Sequence, residues 1–180
     1  MKKDILIVID YQVDFVSGAL ANPAAETLKA GIEARVREYR QADKPVIFTK
    51  DTHLEEYLNT REGKFLPVPH CVRGTEGWGL YGSLSDYEEH VQDGVMIVEK
   101  ATFGSPALPA AVRLMCGGDP DRIELCGVVT DICVVSNAIL LHSEFLNTEI
   151  AVNSSLCAAM TPEGHERALT LLAGMGYTIV

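Results

Sequence analysis

The chain has few basic side chains compared with its acidic ones. Its 15 Lys and Arg stand against 25 Asp and Glu, which gives a formal net charge of −10 at pH 7. Such a charge repels phosphate backbones and anionic lipid headgroups, so we expect neither nucleic acid nor a membrane surface as a main partner. Apolar runs long enough to cross a bilayer are missing, and so is a basic, then apolar, signal segment after Met1. These absences predict a cytoplasmic protein.

Cysteine is scarce, and its five positions have no paired spacing. An odd number without a pattern argues against a disulfide framework and favours reduced thiols. We expect Cys116, Cys126 and Cys157 to be structural. The chain has 180 residues, 47% of them hydrophobic and 22% charged, which is the size and composition of one globular domain over residues 1–180.

Short apolar runs alternate with segments of helical periodicity along the chain. This alternation predicts a three-layer α/β/α fold around a mostly parallel sheet of about six strands. The predicted strands are 4–9, 45–49, 95–98, 122–128, 149–152 and 177–180, and the predicted helices are 24–42, 107–115, 133–145 and 162–175. Residues 50–84 lack periodicity and are rich in Gly and Pro, and so long an irregular stretch inside a compact domain is usually functional.

Three reactive side chains follow predicted strands. Asp10, Lys100 and Cys133 stand where strands end, and such ends share one edge of a parallel sheet, where open α/β folds bind ligands. Cys133 also begins a predicted helix, whose N-terminal dipole favours a thiolate. We therefore expect Cys133 to be a nucleophile. Taken singly, each residue has a plainer interpretation: a loop-capping acid, a solvated lysine and a small core residue.

Several segments resemble those of a known family. Val8-Ile9-Asp10-Tyr11-Gln12-Val13-Asp14-Phe15, Glu99-Lys100 and Gly127-Val128-Val129-Thr130-Asp131-Ile132-Cys133-Val134 resemble the signatures of the isochorismatase-like cysteine hydrolases. Asp51-Thr52-His53 and the stretch 69–77 resemble the metal segments of their nicotinamidase (pyrazinamidase) branch. The resemblance follows chain order over nearly the whole sequence, and it implies the fold predicted above.

The resemblance implies a catalytic triad of Asp10, Lys100 and Cys133. Asp10 would accept the thiol proton and later pass it to the leaving amine, while Lys100 would keep Asp10 ionised and favour the thiolate. The family also has a cis peptide bond, which falls here at Val128-Val129. The N–H groups of Val129 and Cys133 would then form the oxyanion hole.

The resemblance also implies one divalent metal ion. Asp51, His53 and His70 are candidate ligands, and the branch takes a further ligand, His or Glu, from between the last two. No histidine lies between His53 and His70, so a carboxylate is expected: Glu62, with Glu55 and Glu56 as alternatives and Cys71 ranked lower. These ligand types suit zinc first, with manganese or iron as alternatives. A turn-capping His70 and an ordinary loop acid at position 51 are the structural alternative, and His90, His142 and His165 are expected to be exposed or on helix faces.

The implied substrate is a small aromatic amide, nicotinamide or also pyrazinamide, in NAD salvage. Phe15, Leu20, Phe103 and Trp78 are expected to surround its flat ring, by offset aromatic contacts where they are aromatic. The fold family often forms homo-oligomers, so we expect one here. Two alternatives remain open: a metal-independent member of the superfamily, acting on another amide or on isochorismate, and a non-catalytic ligand-binding protein.

Overall fold

The computed structural model describes residues 3–90 and 92–180. The fold is centred on β1 (Asp4–Ile9), in which every residue from Ile5 to Ile9 is fully buried. β1 lies between β2 (Val46–Asp51) and β4 (Arg122–Val128), and both pairings are parallel. A strand covered on both faces must be apolar on both, which explains the unbroken aliphatic run.

The sheet has six strands in the order β3-β2-β1-β4-β5-β6, all parallel. The outer strands are β3 (Val95–Lys100), β5 (Glu149–Ala158) and β6 (Thr178–Ile179). From β1 the chain first adds strands on one side and then, starting with β4, on the other. The carboxyl ends of β1 and β4 therefore flank a topological switch point, where ligands bind in open α/β sheets. The predicted fold class is confirmed.

Helices connect the strands. α3 (Lys29–Gln41) packs against β1 and β2, whereas α6 (Leu108–Cys116) and α7 (Val135–Glu144) pack against each other. Right-handed crossovers place α3 on one face of the sheet and α6 and α7 on the other. Among the described residues, no helix is both long and apolar enough to cross a membrane. The helices are α1 (Val13–Val16), α2 (Pro23–Thr27), α3 (Lys29–Gln41), α4 (Arg61–Phe65), α5 (Asp86–Glu89), α6 (Leu108–Cys116), α7 (Val135–Glu144) and α8 (Pro162–Gly174).

Some boundaries differ from the sequence prediction. The single helix predicted over 24–42 is two helices, because the chain turns more tightly at Leu28, whose N–H bonds to Ala25 O. β5 extends beyond 152 through the polar residues 153–155, where a bulge shifts its register against β4. The irregular stretch 50–84 contains α4 and 3₁₀ turns at 57–59, 76–78 and 82–85.

Candidate active site

The carboxyl edge of the sheet brings four functional side chains together. Asp10 follows β1, Asp51 and Lys100 end the neighbouring strands β2 and β3 in register with each other, and Cys133 lies in a π-helical turn after β4. All four are buried. The long side chain of Lys100 passes the end of β2, and its Nζ lies 2.7 Å from Asp10 Oδ2, 3.2 Å from Asp51 Oδ1 and 3.7 Å from Cys133 Sγ. The predicted convergence of Asp10, Lys100 and Cys133 is what the structure has.

The carboxyl group of Asp10 is held at both oxygens but keeps room for a proton. Thr49 Oγ1 donates a 2.7 Å hydrogen bond to Oδ1, and Lys100 forms the ion pair with Oδ2. Within the described residues, Oδ2 accepts no well-aligned hydrogen bond. Burial raises the pKa of Asp10 above its ordinary value although Lys100 opposes the shift, so this carboxylate is a stronger proton acceptor than an exposed aspartate.

The Cys133 thiol lies in surroundings that disfavour its ionised form. Burial raises its pKa well above the ordinary value; Lys100 lowers it, but the charges of Asp10 and Asp51 raise it further. The helix begins only at Val135, so Cys133 lies before the first turn of α7. Because burial and the nearby carboxylates disfavour the thiolate, a nucleophilic role would require a proton acceptor, and the raised pKa of Asp10 suits that carboxyl group to it.

Lys100 is charged in this setting. Burial by itself lowers its pKa, but Asp10, Cys133 and Asp51 together raise it well above the ordinary value of a lysine. The same charge helps to hold the pKa of Asp51 below its usual range, against the effect of burial. One ammonium group thus links the candidate nucleophile to a second cluster of side chains.

That second cluster has the composition of a metal site. One ligand atom each from Asp51, His53, Glu62 and His70 lies within 4.8 Å of the others. Asp51 Oδ2 is 3.0 Å from His53 Nε2 and 3.4 Å from His70 Nε2, while Glu62 Oε1 is 3.5 and 3.8 Å from the same two nitrogens. Ligands about 2.1 Å from a tetrahedral zinc ion are about 3.4 Å apart, so this donor set fits a divalent cation.

The imidazoles are prepared for that role. Val68 O lies 2.8 Å from His70 Nδ1, which makes Nδ1 the protonated nitrogen and leaves the Nε2 lone pair directed into the cluster. Burial lowers the pKa of His53, but Asp51 and Glu62 raise it to about 9, which reflects the pull of this cluster on positive charge. The alternatives Glu55 and Glu56 are exposed and lie outside the cluster. Cys71 is buried, and it also lies outside the cluster.

The loop after β1 holds these candidate ligands in place through the side chains of Gln12 and Asp14. No such role was predicted for either side chain. Gln12 Nε2 donates to Asp51 O at 2.9 Å, and Gln12 Oε1 accepts from Asp51 N at 2.7 Å. Asp14 Oδ2 accepts from Cys71 N at 2.7 Å, directly after His70. A Cβ at Gly77 would lie 2.1 Å from the same oxygen, so this approach requires glycine. The polar pattern of residues 10–14 was the available signal.

The candidate nucleophile Cys133 and the metal-type cluster open into one cavity of about 190 Å³. Phe15, Leu20 and Phe103 line it as predicted. Trp78 does not, so its predicted role is wrong: its indole covers Lys50, and its Nε1 donates to Thr52 Oγ1 at 2.9 Å. The full lining is Phe15, Leu20, Asp51, Glu62, Phe65, Leu66, His70, Phe103, Val129, Ile132, Cys133 and Met160, of which Phe65, Leu66, Ile132 and Met160 were not anticipated.

Other groups considered in the sequence lie elsewhere. All five cysteines are free, with Cys126 and Cys157 buried and Cys116 half-buried. His90 and His142 are exposed, but His165 on α8 lies 2.9 Å, through Nδ1, from Thr130 Oγ1 in the turn that carries Cys133. The Val128–Val129 peptide bond is cis, as the resemblance implied.

A larger groove of about 440 Å³ lies at the opposite edge of the sheet. Its charged residues include Lys44, paired with Asp4, and Arg122, paired with Glu149. Because these charges are already matched and no nucleophile accompanies them, the 190 Å³ cavity is the better candidate site despite its smaller size.

Comparison with known proteins agrees with this geometry. Residues 4–180 match the model of the isochorismatase domain. The chain is 31% identical over 176 residues to PncA of Bacillus subtilis (strain 168), an uncharacterized isochorismatase family protein, and the match covers 95% of this chain and 94% of the relative.

Solved structures share the fold over the same length. A nicotinamidase/pyrazinamidase PncA from Bacillus subtilis superposes with a TM-score of 0.89 at 30% identity, covering 100% of both chains. The pyrazinamidase of Pyrococcus horikoshii in complex with zinc gives a TM-score of 0.83 at 26% identity, covering 99% of this chain and 98% of the other. With both the domain match and these superpositions extending over almost all of its residues, the chain belongs to the isochorismatase family.

Proposed function

We propose that this protein is a nicotinamidase, which hydrolyses nicotinamide to nicotinate and ammonia and also accepts pyrazinamide. One observation carries the proposal: Cys133 and the metal-type cluster of Asp51, Glu62 and His70 line the same small cavity, between Phe15 and Phe103. The relatives named nicotinamidase and pyrazinamidase, one of them with zinc, support the same substrate class.

The chemistry starts with Asp10. It takes the proton of Cys133, and the thiolate attacks the carboxamide carbon while Lys100 stabilises the negative charge beside it. The N–H groups of Val129 and Cys133 are assigned to the oxyanion, and one such donor is typically worth about 3 kcal/mol of transition-state stabilisation. Asp10 returns the proton as ammonia leaves, which gives a thioester.

Water completes the turnover. Asp10, free of its proton after the first step, accepts one from the attacking water, and the Cys133 thiol is restored when nicotinate leaves. The aromatic faces of Phe15 and Phe103 enclose the pyridine ring, each contact adding about 0.5–1.5 kcal/mol beyond burial. A divalent metal held by Asp51, His53, Glu62 and His70, zinc first and manganese or iron as alternatives, would supply a Lewis-acid position for the ring nitrogen.

Ammonia release from nicotinamide and metal content, measured on protein purified without chelators, test the proposal. Cys133→Ala should abolish turnover and keep the metal, because the nucleophile is not among the ligands. His70→Ala should lose the metal and at least about tenfold in activity, and it leaves the Asp51–Lys100 contact in place. His90→Ala, an exposed histidine, is the matched control and should change neither quantity.

Two results would contradict the proposal. Full activity in His70→Ala would favour the metal-independent hydrolase. A wild-type protein that releases no ammonia, with a Cys133 that alkylating reagents do not modify, would favour a ligand-binding protein.

A further inference from the structure

Asn137 on α7 has a fully buried amide that makes hydrogen bonds to both sides of the candidate site. Its Oδ1 accepts from Ser105 N at 2.9 Å. Its Nδ2 donates to Phe103 O at 3.1 Å and to Cys133 O at 2.8 Å. Two of these partners lie on the loop 101–107 after Lys100, and the third is the carbonyl of the nucleophile itself.

The loop lies directly on α7 at this point. A Cβ at Gly104 would be 2.7 Å from Leu140 Cδ1 and 3.2 Å from Ser136 O, so the backbone approaches the helix more closely than a larger residue allows. The amide of Asn137 bonds to the loop on both sides of Gly104. Helix and loop are therefore joined by side-chain hydrogen bonds and by close packing at one place.

Phe103 depends on this anchorage. Its ring lines the cavity, yet the residue is 40% exposed, so packing holds its side chain less firmly than that of Phe15, which is 7% exposed. Its position against a bound ring is therefore set mainly by where its backbone is fixed. Asn137 fixes that backbone relative to Cys133.

We propose that Asn137 is a positioning residue that holds Phe103 against the substrate ring at a set distance from Cys133. This inference rests on the proposed amidase function. Because Asn137 acts through the wall of the cavity and not through the reacting atoms, its loss should weaken substrate binding and leave the chemical step nearly unchanged.

Asn137→Thr isolates the loop contacts. A helical Thr hydroxyl can still donate to the carbonyl four residues earlier, Cys133 O, but it is too short to bridge Phe103 and Ser105. We expect the KM for nicotinamide to rise about five- to tenfold, the value of one aromatic contact, with kcat within about threefold of wild type. Asn153→Thr, an amide bonded to Glu124 on β4, is the matched control and should leave KM unchanged.

A double-mutant cycle separates positioning from a general structural role. Phe103→Ala should raise KM to a similar degree, and adding Asn137→Thr to it should then change KM by less than about twofold, since the ring that Asn137 positions is gone. Independent, multiplying effects would overturn the proposal, and so would a fall in kcat at constant KM.

Amide hydrogen exchange tests the hydrogen bonds between Asn137 and the loop 101–107 without substrate. Exchange at Ser105 N–H should be at least about tenfold faster in Asn137→Thr, because its acceptor is lost. Unchanged exchange overturns the proposal. A wild-type protein that releases no ammonia refutes the amidase function. The Ser105 exchange rate then shows separately whether Asn137 holds the loop 101–107.

Discussion

Replacement of Lys100 by methionine should both destabilise the protein and make Cys133 less reactive. The substitution keeps an unbranched apolar chain but removes a charge that lies 2.7 Å from Asp10, 3.2 Å from Asp51 and 3.7 Å from Cys133 Sγ. Two buried carboxyl groups then face each other without their shared cation.

The expected loss of stability is large. Removing one partner of a buried ion pair costs about 3–5 kcal/mol, because an uncompensated charge is left inside. The pKa of Asp10 is already raised by burial, so this group can take up a proton and limit the cost. We therefore expect a fall of about 3 kcal/mol in the free energy of unfolding at neutral pH.

The effect on the thiol follows from the same charge. Lys100 lowers the pKa of Cys133, so its removal raises that pKa further. Two unit charges about 4 Å apart interact by about 4 kcal/mol at an effective dielectric constant of about 20. Even a third of that attraction corresponds to about a tenfold smaller thiolate fraction, and alkylation of Cys133 should slow at least as much.

The assay is alkylation as a function of pH, followed for each cysteine by peptide mass spectrometry, together with urea unfolding. The pH profile of Cys133 should move to higher pH, while half-buried Cys116 serves as an internal reference and should not change. Lys50→Met is the matched control. Lys50 is also a buried lysine, paired with Glu88, so its loss should lower stability without moving the Cys133 profile.

A Cys133 profile that stays in place in Lys100→Met would contradict a charge effect of Lys100 on the thiol. An equal displacement in Lys50→Met would refute it as well, since the cause would then be general loosening of the fold.

Two further predictions concern the sheet. Gly127→Ala should lower the free energy of unfolding in urea by at least about 3 kcal/mol, because φ is +111° and the new Cβ would lie 2.1 Å from Ile9 O. Gly174→Ala is the control: its Cβ would meet open space, so the substitution should be neutral or stabilising. Equal losses in the two variants would contradict this prediction. Glu124→Gln should cost about 1.5–3 kcal/mol near neutral pH, because it removes the charge of a buried carboxylate that pairs with the partly exposed Arg35. Arg35 and Asn153 lower the pKa of Glu124 against the effect of burial, so this pair stabilises the fold above about pH 4.5, the ordinary pKa, and the gain is lost as the pH falls through the lower folded value. The difference in unfolding free energy between wild type and Glu124→Gln should therefore shrink below that pH, and a constant difference would contradict the assignment.

Much of the fold and of the triad could be predicted because both follow from the strands. The continuous apolar run from Ile5 to Ile9 can only be a strand buried on both faces, and parallel strands bring their carboxyl ends to one edge. Asp10, Lys100 and Cys133 follow three such strands, so their convergence is a consequence of topology. The sequence favoured Glu62 as the fourth metal ligand, with Glu55 and Glu56 as alternatives. These alternatives remained because a one-turn helix such as α4 has no periodicity from which the direction of its side chains can be predicted.

The rest depends on packing that the sequence does not encode locally. Phe65 reaches the cavity from the one-turn helix α4 and Met160 from a loop, and the positions of both are set by distant contacts. Trp78 was misplaced because the sequence does not show that its loop turns the indole onto Lys50. The helix that follows Cys133 and the nearby Lys100 indicated surroundings that favour a thiolate, whereas the burial that raises the pKa of the thiol could not be read from the sequence.

The braced loop after β1 has a consequence for how the preference of the proposed metal site could evolve. Gln12 fastens the backbone of Asp51 at the end of β2, and Val68 O orients the His70 ring, so each of these two donors is held in place by hydrogen bonds. Glu62 enters separately, from a single helical turn that also carries exposed Phe65. A change of donor at position 62 would alter the hardness of the proposed ligand set while Cys133 and Asp10 stay in place. Natural variation or engineering that retunes the ion is therefore expected at that turn.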